Sequence, residues 1–364
     1  MEQRSEVNDR EKELLNALGR HPSLSMKELL THTHYKRMSS ILRKVEQFRE
    51  KNLLWGPTHL VDYGRLCKNP LQRSFCIVEL GRSYETVISY LELIELLIWT
   101  YPVLSHRELL CVSFVTSNDQ EIIALLQLLK DNNIIRDFDV RLHCNLFAVE
   151  TPNFFGDPVP SLDNLLTPCE FPDISFGQYD TEWNECDIAT LSYLHGEHKV
   201  IKLVEILRRE RLYGKPWTYS QIKYSYQKMC KKKLIKKMYF LHPFPLDQCS
   251  DFFLFVKTDD RETTKRILYN FARGGRIFRE YTLCDELGLI GCISHPRFVL
   301  DLMHKLDQID EIKKKTLYHL RSFPPGIQYM GQQSVFGRYD FEKQTLEFPY
   351  HAFREKIREK IDNE

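Results

Sequence analysis

At 364 residues and 43.4 kDa, 43% hydrophobic and 28% charged, the chain is too long for one small domain and too apolar for wholesale disorder. Its 51 Lys and Arg balance 50 Asp and Glu, which excludes a uniformly basic nucleic-acid coat but not a local basic patch. A polar start (MEQRSEVNDREKELL), an apolar stretch at 91–99 broken by Glu92 and Glu95, and ten cysteines without a C-x-x-C pair predict a cytoplasmic chain with reduced thiols, no signal peptide and no membrane span.

Leu14, Leu15 and Leu18 give 9–20 the spacing of an amphipathic helix, capped by Asn8 or Asp9 and ended at Pro22. Ser25 can cap a short helix over 26–31. A longer helix is predicted over 35–51, with Met38, Ile41, Leu42, Val45 and Phe48 on one face. The run from Asn52 to Pro57 starts a wing, so 1–66 reads as a winged helix-turn-helix. Over 72–151 the pattern predicts a strand (74–80), a helix (83–100), strands at 102–105 and 108–116, a helix capped by Asn118 (118–132) and a strand (141–150). That βαββαβ order is ferredoxin-like. Residues 152–181, rich in Pro, Asp, Gly and Phe, read as a linker.

The second half predicts the same order. Helices over 183–194, 199–209 and 219–232 and a wing strand over 234–241 make a second winged helix-turn-helix within 182–246. A strand (251–258), helix (261–273), strands (277–283 and 287–294), helix (296–307) and strand (311–323) make a second ferredoxin-like unit within 250–324. Phe75 and Phe252, and Asn118 and His295, both lie 177 positions apart, so the chain reads as one module written twice. A hairpin and a charged amphipathic helix occupy 325–364. The expected fold class is α+β, two winged helix-turn-helix domains each followed by a ferredoxin-like βαββαβ domain.

Charge is concentrated. Residues 199–237 hold thirteen Lys or Arg against Glu205 and Glu210, a net +11. Residues 35–51 hold six against Glu46 and Glu50, a net +4, which leaves −14 on the rest. Two basic islands in an acidic body point to a polyanion partner.

This element order resembles the leucine-responsive regulatory protein/AsnC family of transcription regulators. The likeness is closest over 285–321, DELGLIGCISHPRFVLDLMHKLDQIDEIKKKTLYHLR, with 25–54 similar to its recognition unit. The family's ligand turn is matched only loosely by 284–288, and the first half has Ser105-His106-Arg107 in that place. The resemblance implies a sequence-specific DNA-binding regulator rather than an enzyme. Its partner would be double-stranded DNA, with a homodimer and a small-molecule effector as further partners, and its two ferredoxin-like sheets would pack together. Major-groove contacts would come from Tyr35, Lys36, Arg37, Ser39, Ser40, Arg43 and Lys44 on one recognition helix. The other would offer Tyr219, Ser220, Gln221, Lys223, Tyr224, Gln227 and Lys228, with Lys231, Lys232, Lys233, Lys236 and Lys237 beside phosphates.

His32, His34 and Cys67 lack a fourth ligand at metal spacing, so no metal is expected, and no cofactor. No Ser-His-Asp, Cys-His or paired-carboxylate pattern stands out, so no catalytic residue is assigned. The same architecture resembles the siroheme decarboxylases, which implies as an alternative an enzyme using His and Arg at a cleft between domains. Arg141, His143, His319 and Arg321 on the closing strands are its candidates. A protein-interaction scaffold is a third class.

Overall fold

The computed structural model of the chain describes residues 7–143, 145–195, 201–284, 286–321 and 333–364. Helix α1 (Asp9–Arg20) opens with a capping box, in which Asn8 and Glu11 exchange side-chain-to-backbone hydrogen bonds of 3.1 and 3.0 Å. Ser25 caps the next segment, but it closes as a 3-10 turn over Glu28–His32 rather than as the helix expected over 26–31. Helix α2 (Met38–Glu50) starts three residues later than expected. Arg37, its extended N-terminal flank, supplies no capping side chain, and Tyr35 packs against the α1 core instead. Strand β1 (Leu54–Val61) is the first wing.

Strand β2 (Gln72–Leu80), helix α3 (Tyr84–Leu91), strands β3 (Leu97–Pro102) and β4 (Leu109–Thr116), helix α4 (Asp119–Asp131) and strand β5 (Ile135–His143) form an antiparallel sheet of order β3-β4-β2-β5. That is the ferredoxin-like order. Two expectations fail here. The helix predicted over 83–100 ends at Leu91, and Leu97–Pro102 is a strand, with Trp99 opposite Ser113 and Tyr101 opposite Cys111. A short apolar run cannot distinguish the two, and the aromatic and β-branched 98–101 settle on the sheet. The strand predicted over 141–150 is two strands. β5 begins at Ile135, and β6 (Ala148–Glu150) leaves this sheet to join the other.

Residues 151–184 contain no helix and no ladder strand. Helices α5 (Glu185–Leu194), α6 (Leu203–Leu212) and α7 (Tyr219–Lys231) follow, then the second wing β7 (Ile235–Leu241). Residues 199 and 200 of the helix expected over 199–209 lie outside the described residues. Strand β8 (Ser250–Thr258), helix α8 (Arg261–Asn270), strands β9 (Phe278–Cys284) and β10 (Leu287–Ser294), helix α9 (Pro296–Asp307) and strand β11 (Ile312–His319) build the sheet β11-β8-β10-β9-β6. The closing strand expected to run to 323 stops at His319, and 322–323 lie outside the described residues. Strands β12 (Tyr339–Asp340) and β13 (Thr345–Leu346) form the tail hairpin, and helix α10 (Tyr350–Asp362) ends the chain.

The wings pair with each other. β1 and β7 run antiparallel, with Leu54 opposite Leu241 and Val61 opposite Ile235. The two large sheets pack face to face through Phe75, Ile77 and Trp99 on one side and Phe253, Phe255 and Leu289 on the other. The ring of Phe253 lies 5.0 Å from Phe75, edge to face, and 5.5 Å from Trp99, stacked. Helices α8 and α9 cover the outer face of the second sheet. Helices α3 and α4 cover the first, in a core continuous with α5, α6, α7 and α10. The tail is tied into that core by the buried Gln344. Its Nε2 donates to the carbonyls of Trp183 (3.0 Å) and Phe341 (2.8 Å). Its Oε1 accepts from the Trp183 N–H (2.8 Å) and the Tyr339 hydroxyl (2.9 Å).

The equivalence expected between Phe75 and Phe252 is off by one. Phe75 and Phe253 occupy the inter-sheet face, whereas Phe252 turns towards α8 and α9. Asn118 and His295 both cap helices, each accepting from the backbone N–H two residues on.

Asp251, two residues before Phe253, buries its Oδ1 without a hydrogen-bond partner. Burial raises its pKa from 3.8 to about 6. The folded chain therefore binds this proton more tightly than the unfolded chain, and stability falls as pH rises from about 4 to about 6. Asp251→Asn is expected to stabilise the protein at pH 7 by roughly 1 kcal/mol or more and to lose that advantage below pH 4. Urea unfolding of both proteins across pH 4–8 checks it, and parallel curves would refute it.

A cationic cavity between the wings and the second sheet

The basic run of the second half turns sharply at Lys233, which adopts a left-handed φ of 58° between α7 and β7. Pairing of β7 with β1 carries that turn over the β9–β6 edge of the second sheet. A cavity of about 930 Å³ lies between them. The wings contribute Val61, Ile235, Lys236 and Lys237; β2 contributes Arg73; β6 and β9 contribute Glu150, Glu280 and Tyr281. Residues 172–177 form a further wall, clamped to the first wing. Gly64 and Gly177 pass so closely that a Cβ on Gly64 would lie 2.2 Å from the Gly177 carbonyl oxygen. The Asp62 carboxylate accepts hydrogen bonds from the N–H groups of both, at 3.1 Å from Gly64 and 2.9 Å from Gly177.

Five cations line this space: Arg65, Arg73, Lys233, Lys236 and Lys237. Arg65 is paired with Asp62 at 3.3 Å. The other four have no carboxylate partner among the described residues. The Arg73 guanidinium lies 5.0 Å over the Phe147 ring, and its Nε is buried without a hydrogen-bond partner. Lys237 is half-buried, and desolvation holds its pKa below the usual lysine range. Of the acids, Glu150 is taken by the buried Arg279 at 2.7 Å, while the Glu280 carboxyl has no hydrogen bond or ion pair among the described residues. Burial pushes the Glu280 carboxyl above the usual range, and the opposing charge of Arg73 only partly offsets it. Aromatic walls come from Phe147, Phe176, Tyr226 and Tyr281.

Two histidines stand behind this wall. The His195 Nε2 lies 3.4 Å from the Tyr63 hydroxyl, and the His59 ring meets Tyr226 edge to face at 5.7 Å. Burial lowers both to a pKa of about 4, so both rings are neutral at neutral pH. Among the described residues no group of three His, Cys, Asp or Glu side chains could hold a metal ion. His34 Nδ1 meets Glu13 at 2.6 Å, and Cys67 is buried in a separate core. No helix among the described residues is long and apolar enough to cross a membrane.

The residues expected at DNA are scattered in role. Lys36, Arg37, Ser39 and Arg43 are exposed around the start of α2 and Ser40 is half-buried there, whereas Tyr35 faces the α1 core and Lys44 is paired with Glu11 at 2.6 Å. On α7, Tyr219, Ser220, Lys223, Tyr224 and Gln227 are exposed, and Gln221 is committed to the helix cap, accepting from the Thr218 N–H at 2.8 Å. Lys228 turns inward. Its ammonium donates to the fully buried Asp187 at 2.6 Å and to the Glu182 carbonyl at 2.8 Å. The Lys233, Lys236 and Lys237 expected beside phosphates line the cavity instead.

The closing-strand candidates do not converge either. Arg141 is paired with Asp139 at 2.7 Å. His319 meets the Ser250 hydroxyl at 2.9 Å on the opposite edge of the second sheet, where the Arg321 N–H donates to the Pro102 carbonyl at 2.9 Å. The side chain of His143 lies outside the described residues. Sequence reasoning missed Arg65, Arg73 and Glu280. Arg73 leaves no signal, but Glu280 did. With Arg279 it is a charged pair inside a strand whose other residues are apolar or Thr, and such a residue on a doubly covered strand needs a partner or a task.

No protein-family model and no curated protein sequence matches the chain. Its structure is similar over its full length to the siroheme decarboxylase NirDL, with a TM-score of 0.52, 10% identity, and 98% of this chain and 99% of that chain covered. The same enzyme in co-complex with an iron-uroporphyrin III analogue matches at a TM-score of 0.51 and 10% identity, with the same coverage. AsnC of E. coli matches at a TM-score of 0.29 and 16% identity, over 38% of this chain and 93% of its own. The expectation of a DNA-binding regulator is overturned by the full-length match, which is to an enzyme. The geometry agrees with that correction, since the two wings are spent on each other and Lys233, Lys236 and Lys237 of the basic run line the cavity.

Lys228 separates the two readings experimentally. A DNA-contact lysine is dispensable for folding, whereas removing the partner of a buried carboxylate strands a charge. Lys228→Met is therefore expected to destabilise the protein by about 3 kcal/mol in urea unfolding. An unchanged unfolding midpoint would contradict the internal pairing.

Proposed function

We propose that the chain binds a carboxylate-bearing tetrapyrrole of the siroheme class in the cationic cavity and removes CO2 from one of its side chains. One observation carries this reading. Four cations, Arg73, Lys233, Lys236 and Lys237, line one aromatic-walled cavity with no carboxylate partner among the described residues. Arg73 and Lys237 are half-buried there, while Lys233 and Lys236 are exposed, and a cation partly withdrawn from water without a counter-ion is costly unless a ligand of opposite charge completes it. A flat macrocycle ringed by carboxylates fits that demand: charge-assisted hydrogen bonds hold its rim, and the aromatic side chains contact its faces. The volume of about 930 Å³ lies within the usual range of small-molecule sites, roughly 300–1,000 Å³. The likeness in fold to a siroheme decarboxylase supports the same assignment.

In this reading the cations orient the substrate, and the walls of 172–177 and of the paired wings restrict water around it. Decarboxylation then exchanges one carbon–carbon bond for a carbon–hydrogen bond. The bond's electron pair stays on carbon, CO2 departs and one proton is supplied, with no change in oxidation state. We also infer that the chain repeats one winged-helix and ferredoxin-like unit, over 1–66 with 72–151 and over 182–246 with 250–324, with 152–181 as linker and 325–364 as tail. The shared strand order of the two sheets supports it, with 148–150 crossing to the second sheet.

Titration of the purified chain with iron-uroporphyrin III is expected to give a saturable shift of the porphyrin absorbance. Incubation with siroheme is expected to give a product lighter by CO2 in mass spectrometry. Arg73→Ala, and Lys236→Ala with Lys237→Ala, are each expected to weaken binding tenfold or more, the effect of one charge-assisted hydrogen bond of about 1.5–3 kcal/mol. No absorbance change, or equal affinity in all three proteins, would overturn the proposal.

A further inference from the structure

Among the four acids that line the cavity, Glu280 is set apart. Asp62 is held by Arg65 and two backbone N–H groups, Glu150 by Arg279, and Asp173 by the Ser175 N–H at 2.9 Å. Alone of these, the Glu280 carboxyl has no hydrogen bond or ion pair among the described residues. Its side chain has a made berth. It lies across the ladder on Gly291, where a Cβ would come within 3.0 Å of its Cγ and 3.1 Å of its Oε1. Any larger residue at 291 would push the carboxyl aside. Arg73, from β2, lines the same cavity and also lacks a carboxylate partner. A half-buried carboxyl and a half-buried guanidinium that line one cavity without a hydrogen bond or ion pair between them leave part of their desolvation cost uncompensated. A substrate carboxylate between them resolves this, provided that Glu280 is protonated.

Resting on the decarboxylase reading, we propose that Glu280 is the acid that protonates the substrate carbon as CO2 leaves, with Arg73 holding the departing carboxylate. The titratable groups facing Glu280 are Arg73 from β2 and Tyr101 from β3, whereas Glu150, Arg279 and Tyr281 bond to one another on the other face of β9. Burial already favours its neutral form, and a bound polycarboxylate favours it further. The step balances. The carbon–carboxylate bond breaks with its electron pair on carbon, and that pair takes the Glu280 proton to form the new carbon–hydrogen bond. CO2 is released, and Glu280 is left as a carboxylate facing the vacated Arg73. Water returns the proton before the next turnover. No oxidant, reductant or further reactant is needed.

The test uses the full chain, Glu280→Gln and Glu280→Asp, with iron-uroporphyrin III as the binding probe and siroheme as the turnover probe. Glu280→Gln is expected to bind iron-uroporphyrin III as tightly as the unaltered chain, or more tightly. Its CO2 release is expected to fall about a hundredfold or more, the usual contribution of a positioned acid. Glu280→Asp is expected to recover part of the rate. In the unaltered chain the rate is expected to fall with rising pH through a carboxyl pKa above the ordinary range, and this limb is expected to vanish in the residual rate of Glu280→Gln. Turnover by Glu280→Gln within threefold of the unaltered chain overturns the role of Glu280 and leaves the proposed function standing. Loss of binding in Glu280→Gln with an intact fold also overturns it, by making Glu280 a binding group. Absence of both binding and CO2 release in the unaltered chain overturns the proposed function, and Glu280 with it.

Discussion

Everything distinctive in this molecule follows from one antiparallel ladder, the pairing of β1 with β7. A lone wing strand has both backbone edges open and available to partners. Here each wing satisfies the other, and the apolar residues of both, Leu54, Val61, Ile235 and Leu241, are buried. The pairing also sets the position of Lys233, Lys236 and Lys237. Of these, Lys237 is half-buried against the cavity, whereas Lys233 and Lys236 stay exposed.

The ladder therefore decides what the charge is for. A run of lysines read along the chain is ambiguous between a solvated face, a nucleic-acid footprint and a pocket wall. The fold divides the run by depth. Lys223 and Lys231 are exposed, Lys228 is spent internally on Asp187, and of the residues that line the cavity Lys237 is half-buried while Lys233 and Lys236 are exposed. The inter-sheet packing of Phe75, Trp99 and Phe253 supports this arrangement from below, because it presents the β9–β6 edge to the wings. Part of the basic run thus lines a cavity instead of an open helix face.

Much of the architecture was legible. The helix stripes of α1, α4 and α9, their caps at Asn8, Asn118 and His295, and the boundaries of β10 and α9 follow from periodicity and capping chemistry. Where periodicity was silent the reading failed. The run 83–100 is apolar enough to be either helix or strand, and only the partner strand β4 decides it. The departure of β6 to the other sheet is a tertiary event with no local signature. The cavity was hidden for a related reason. Arg73, Glu280 and Lys236 are separated by 44 positions or more along the chain and meet only through sheet packing and wing pairing. The recognition helices were read correctly as helices and wrongly as a DNA surface, because exposure and positive charge do not by themselves name a ligand.

The anchorage of Gln344 has a consequence for how the protein is made. Its amide bonds to both the N–H and the carbonyl of Trp183, and the hydroxyl of Tyr350 bonds to Thr116 Oγ1 at 2.8 Å. Interior hydrogen bonds around Thr116 and Trp183 are thus completed by residues that leave the ribosome more than 150 positions later. During vectorial synthesis the central helices wait with an unfinished interior until Gln344 and Tyr350 emerge, and a product terminated before them lacks the residues that close it.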